Sequence, residues 1–210
     1  MFQSGNQSVV LFRRAWLAPL IWIVLAGPAY AQNSTVWTTN YYAVTGDTIR
    51  DIHRSLGQAR PWKRSEHDAV TQWRVEWHLN YIQGAGDCRL TTFSTRSFIQ
   101  ITLPKWTRST NAAPAVAQAW DNYVTALVRH ERGHGQMAIA AAAEMHKRVK
   151  AVRADANCEA LKSRINGLCQ QVIAEHKQHE LTYDKTTNHG QTQGARLWGR
   201  ERPTPPDSNR

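Results

Sequence analysis

His130-Glu131-Arg132-Gly133-His134 sets two imidazoles and a carboxylate close together in the pattern H-E-x-x-H. On a helix, residues four apart are turned by about 400°, so the two rings stand roughly 40° apart on one face and can share one metal ion. Glu131, turned by about 100° from His130, lies off the ligand line but near enough to hold a metal-bound water. Two neutral nitrogen ligands, an open position for water and a carboxylate to take its proton are what a zinc hydrolase needs. A lone mid-helix histidine is usually a packing or surface residue; a pair at this spacing with Glu directly after the first is harder to read that way. Gly133 and Gly135 flank His134, and each costs roughly 0.5–1 kcal/mol relative to alanine inside a helix. Local rules tend to be broken where a site needs room, here expected to admit a substrate backbone approaching the metal.

Candidates for a third ligand lie 42 to 55 residues beyond His134: His176, His179, Glu180, Asp184 and His189. Glu180 and Asp184 fit E-x-x-x-D, by which zinc peptidases of the glutamate-ligand type supply a ligand and a supporting acid. His189 stands just before Gly190, where the helix is expected to end and an imidazole, which suits zinc, can swing inwards.

Two long helices must position these groups. Residues 113–152 read as one, with Pro114 in its first turn. Trp120, Tyr123, Leu127, His130, His134, Met137, Ala138, Ala141 and Met145 trace its apolar stripe at spacings of three and four. The small residues 138–143 allow another helix to approach. His146, twelve residues after His134 and so about 120° round the helix, is expected to face solvent. Asn157 can cap a second helix running to about Thr187. Its stripe of Leu161, Ile165, Leu168, Val172, His176, His179 or Glu180, and Tyr183 turns from aliphatic to polar, as a helix does when its far end lines a site.

Residues 32–110 read as strand and turn. Tyr41 to Val44 is a short strand, and Thr48 to Leu56 a short helix with Asp47 as N-cap. From Val70 to Tyr81, Trp73, Val75, Trp77, Leu79 and Tyr81 alternate with polar residues, the period of a half-buried strand. Gly84 to Asp87 turns the chain; Cys88–Phe93 and Ser97–Leu103 return antiparallel, and Pro104 ends the run. The fold class expected is α+β: a small antiparallel sheet followed by two long packed helices, zincin-like.

Residues 1–31 read as an export signal, with Arg13 and Arg14, an apolar stretch from Trp16 to Ala26 and an A-x-A cleavage site at Ala29-Tyr30-Ala31. The paired arginines also fit the twin-arginine route, but a general secretory signal is the simpler reading. The apolar run is too short for a stable membrane span. One domain over 32–194 and a disordered tail over 195–210, with Pro203, Pro205 and Pro206, complete the division. The formal charge of +10 becomes +8 without Arg13 and Arg14. Scattered Lys and Arg serve solubility or an anionic partner, and without a basic stripe interleaved with aromatics nucleic acid is not expected.

The chain has three cysteines, Cys88, Cys158 and Cys169. On a continuous helix Cys158 and Cys169 would stand about 16 Å apart, beyond the ~7 Å that a disulfide spans. Cys88 is therefore the better partner for Cys158, leaving Cys169 a buried thiol, unless a break at Asn166-Gly167 reopens the pairing.

The chain resembles a bacterial exported family of unknown function described as secreted zinc-dependent proteases. The resemblance covers residues 40–195 and rests on Tyr42-Ala43-Val44-Thr45-Gly46, Trp73 to Trp77, Leu103-Pro104-Lys105-Trp106, the H-E-x-x-H run, and Tyr183-Asp184 with Thr187, His189-Gly190 and Gln193-Gly194. Cys88 and Cys158 also fall where the family carries cysteines. It implies a zinc peptidase in which His130, His134 and His189 bind the metal, Asp184 orients a ligand histidine or exchanges roles with His189, and Glu131 is the base. Tyr183 is either an oxyanion-steadying catalytic group or a buried structural tyrosine. The expectation is a periplasmic or secreted zinc hydrolase acting on peptide or protein, with an edge near Ser97–Leu103 for an extended substrate. The rivals are a cell-wall peptide amidase on the same metal and a non-catalytic envelope protein.

Overall fold

Alternation along the chain becomes β2 (Val70–Gln83), which buries Thr71, Trp73 and Val75 and exposes Gln72, Arg74 and Glu76. The computed structural model describes residues 33–62 and 67–197; residues 1–31, expected to be an export signal, lie outside them. The elements around β2 are β1 (Asn33–Val44), α1 (Ile49–Ala59), β3 (Cys88–Trp106), α2 (Pro114–Val149), β4 (Ala154–Asp155) and α3 (Cys158–Thr187), followed by a 3₁₀ turn over Gln191–Gln193.

The fold is α+β, but the sheet is mixed rather than antiparallel. Its order is β1-β3-β2, with β2 antiparallel and β1 parallel to β3, and the short β4 beside the start of β3. The hairpin closed by Gly84 N–H donating to Asp87 O at 2.7 Å reverses the chain once. With α1 between β1 and β2, β3 comes back in the direction of β1, a pairing that local periodicity does not encode. Cys88–Phe93 and Ser97–Leu103 are parts of this one strand of 19 residues. Because β3 has β1 on one side and β2 on the other, the edge expected at Ser97–Leu103 is occupied; among the described strands the edges belong to β1 and β2.

Pro104 does not end the strand. The ladder with β2 begins at Val70 opposite Thr102, so Pro104 pairs with β1 alone, opposite Tyr42, where a missing N–H is tolerated as on an edge. The inward alternation shifts phase there: Leu103 and Pro104 are both buried, and Trp106 follows Pro104 inward, as Val44 follows Tyr42.

Pro114 starts α2 at its first turn, where the lost N–H costs nothing. Asn157 caps α3 by accepting from Ala160 N–H at 2.8 Å. The N-cap of α1 is Thr48, whose hydroxyl accepts from Asp51 N–H, not Asp47. Ile99, Ile101 and Leu103 from β3, Leu127, Ala138, Ala141 and Met145 from α2, and Leu161, Ile165 and Val172 from α3 share one core. Each large aliphatic there contributes about 1.5–3 kcal/mol by leaving water.

Cys88 and Cys158 form a disulfide with Cα atoms 4.9 Å apart, and α3 runs unbroken through Asn166-Gly167. Cys169 is a buried free thiol whose pKa burial pushes up to about 12. His146 is half-buried rather than solvent-facing: its ring meets Phe93 edge-on at 4.8 Å, and Nε2 lies 3.2 Å from Thr95 Oγ1. Of the tail expected over 195–210, residues 198–210 lie outside the described residues, and the first three are held in place. Ala195 and Leu197 are buried, and Leu197 O lies 2.8 Å from His53 Nε2 on α1. Among the described residues no helix is long and apolar enough to cross a membrane.

Candidate metal centre

The middle of α2 brings His130, Glu131 and His134 into the core, all buried. Their helix lies over the sheet while the last turns of α3 face it, so Asp184, 50 residues from His134 in sequence, reaches both imidazoles. Asp184 Oδ1 lies 3.1 Å from His130 Nε2 and 2.9 Å from His134 Nε2; the two Nε2 atoms are 3.2 Å apart. These three side chains form the one group of metal-ligand type found among the described residues, able to hold one ion. They line a cavity of about 300 Å³ together with Glu131, Glu180, His189 and His67.

Electrostatics follow from this convergence. Burial works to lower the pKa of His134, but Asp184 and Glu180 outweigh it and push the imidazole up to about 9. Asp184 is held well below the usual carboxylate range: burial opposes this, and the two histidines win. Burial raises the pKa of Glu131, against a hydrogen bond from Thr71, whose Oγ1 lies 2.7 Å from Oε2 and 3.0 Å from the Glu131 carbonyl.

Groups behind the imidazoles differ. His130 Nδ1 lies 3.0 Å from Gln193 Oε1. His134 Nδ1 is 3.4 Å from Glu180 Oε1, poorly aligned, and is a buried nitrogen without a hydrogen bond. Glu180 is held in turn by Trp73 Nε1 at 3.1 Å and Lys177 Nζ at 2.8 Å. Of the other expected residues, His189 lies with Nδ1 3.5 Å from Asp184 Oδ1, outside the converging group, and stacks on His67 at 4.1 Å. His176 is buried with Nδ1 against Val172 O, and His179 is exposed.

Tyr183 stacks on His130, ring centroids 5.0 Å apart, and its hydroxyl donates to the His130 carbonyl at 3.3 Å. A Cβ at Gly133 would run into that hydroxyl, and one at Gly135 into Trp37 and Ile99. The space left by both glycines is therefore filled by packing, not open to a substrate backbone.

After α3 the chain folds back through Asn188, His189 and Gly190, with φ of 47°, 50° and 81°. Asn and His tolerate this left-handed region better than most side chains, and Gly190 has no Cβ to collide with: one would lie 2.8 Å from His130 Cγ. That turn delivers Gln193 to His130. Spacing rules do not reveal Gln193, Thr71 or His67. Thr71 shares its face with Trp73 and Val75, and Gln193 belongs to a glycine-flanked block; these are the signals that were present.

An α+β fold carrying two buried histidines and a half-buried aspartate between two long helices defines the class. Residues 39–190 match the family described as "Bacterial protein of unknown function (DUF922)", and the chain belongs to that family. No curated protein and no solved structure matches it.

Proposed function

We propose that this protein is an exported zinc-dependent hydrolase, and specifically a peptidase with Glu131 as general base. The observation that carries the reading is the convergence of two imidazole nitrogens and one carboxylate oxygen at 2.9–3.2 Å from one another. Ligands bonded to zinc at 2.0–2.1 Å in a tetrahedron stand about 3.3 Å apart, close to the spacing of these three atoms. Two histidines and a carboxylate are also a donor set that catalytic zinc takes. Asp184 is then the third ligand, with Glu180 behind His134, and His189 faces the cavity as a neighbour of Asp184. A disulfide is at home in an exported protein, which supports a periplasmic or secreted location.

His130, His134 and Asp184 would hold the ion, and zinc bound there would supply Lewis-acid chemistry, activating a water and polarising a carbonyl. The chain supplies the rest. Thr71 holds Oε2 of Glu131, leaving Oε1 to accept a proton from water and return it to the leaving amine. Tyr183 fixes the His130 ring from behind, as a positioning residue. Ala69, Val70 and Thr71 line the cavity at the start of edge strand β2, so an extended peptide paired there lies across the metal group.

The test is zinc content of the purified protein, with turnover of denatured protein and of peptidoglycan fragments before and after chelation. Bound zinc and chelator-sensitive proteolysis are expected, and Glu131→Gln should lose about 10²–10⁴-fold in turnover while keeping the metal. A folded protein that takes up no zinc overturns the reading in favour of a non-catalytic envelope protein. Cleavage of peptidoglycan fragments alone replaces peptidase with cell-wall amidase.

A further inference from the structure

The residues after α3 form a strap across the back of His130. Its shape is set by Gly190, seated against His130 without room for a Cβ, and by Gly194 at φ 98°, which packs on Ala126. Within the strap Gln193 N–H donates to Gly190 O at 2.9 Å, and Gln193 O accepts from Arg129 Nη1 at 3.4 Å. The backbone of Gln193 is thereby tied down and its side chain points into the protein.

Both ends of that side chain are engaged. Nε2 donates to Tyr183 Oη at 3.0 Å, and Oε1 lies 3.0 Å from His130 Nδ1. Tyr183 Oη spends its one proton on the His130 carbonyl at 3.3 Å, so towards Gln193 it accepts; Nε2 therefore takes the hydroxyl, with Oε1 farther from it at 3.4 Å and turned to the imidazole. A carbonyl oxygen only accepts, so His130 must carry its proton on Nδ1 to make this bond. In the neutral imidazole, the form a metal ligand takes, the lone pair is then on the opposite nitrogen, Nε2, which faces Asp184 and His134. Thr187 Oγ1, at 3.5 Å from Nδ1, is farther off and already donates to Tyr183 O at 2.7 Å.

We propose that Gln193 is a positioning residue that selects the metal-binding tautomer of His130. This rests on the zinc reading above. It also separates the two histidines: His130 is a ligand set in advance, whereas His134, with Glu180 at 3.4 Å and poorly aligned, settles only when the ion arrives.

The test is zinc affinity, measured by competition with a chromophoric chelator on the unaltered chain, Gln193→Leu and Gln193→Glu. Leucine removes the acceptor at similar size and should weaken zinc binding about 10–100-fold, the usual effect of losing a group behind a ligand. Glutamate keeps an acceptor oxygen and should restore affinity to within about threefold of the unaltered chain or tighten it. Equal affinity in Gln193→Leu and the unaltered chain overturns the role of Gln193 while the zinc reading stands. A loss in Gln193→Glu as large as in Gln193→Leu also overturns it, since packing rather than the acceptor would then be responsible. An unaltered chain that fails to bind zinc overturns the functional reading itself.

Discussion

Oδ1 of Asp184 stands 2.9 Å from Nε2 of His134, closer than it stands to His130 or His189. A single carboxylate oxygen therefore closes the group that α2 begins, and it comes from near the far end of α3. His189, the other strong candidate, approaches the same oxygen only at 3.5 Å and from outside the group.

Asp184→Ala and His189→Gln should accordingly behave differently. On the proposed zinc reading the first change removes a ligand, so zinc affinity should fall by more than the roughly 10–100-fold typical of a supporting group. Losing His189 should change it less than about tenfold. Chelator competition measures both, and a His189 variant weakened as much as the Asp184 variant would make the histidine the ligand.

Gly133→Ala inverts an ordinary helix rule. Alanine normally favours a helix by roughly 0.5–1 kcal/mol over glycine. Here the added methyl would strike the hydroxyl and ring of Tyr183, so a loss of about 1–3 kcal/mol is expected, as for other overpacked sites. Thermal melting should show a decrease of several degrees. A variant melting at or above the parent would show that the tyrosine moves aside without cost.

His146 should govern part of the acid sensitivity, at a distance from the metal group. Burial lowers its pKa below the ordinary 6.5. A depressed folded-state pKa means that stability is present above the unfolded value near 6.5 and is lost as pH falls through the lower folded value. His146→Phe, which keeps an aromatic ring beside Phe93, should therefore lose less melting temperature between pH 7 and pH 5 than the parent does. Parallel declines in the two proteins would remove His146 from the account.

Legibility differed between parts of the chain for physical reasons. The helices carrying His130 and Asp184 announce themselves by 3.6-residue periodicity and by Pro114 and Asn157 at their starts. β2 shows through the alternation of Trp73 and Val75 with polar neighbours. Most of β1 does not: Asn33 to Asn40 is almost wholly exposed and is strand only because its backbone pairs with Thr95 to Thr102. Pro104 misleads because an absent N–H matters only where a neighbour would use it. At the site, residues four apart on one helix are visible in one dimension, as are the five candidates for a third ligand. Thr71 against Glu131 and Gln193 against His130 are contacts across about sixty residues, and no local rule brings them together. Gly133 and Gly135 were legible as places needing space, but not as seats for Tyr183 and Trp37.

The disulfide at Cys158 anchors α3 to the beginning of β3 at the end remote from Asp184. Twenty-six helical steps, about 39 Å at ~1.5 Å each, separate the covalent tether from the carboxylate. The base of α3 is thus held covalently and its middle by the core, whereas its tip is held by side-chain contacts alone, with Tyr183 stacked on His130 and Gln193 bonded to Tyr183.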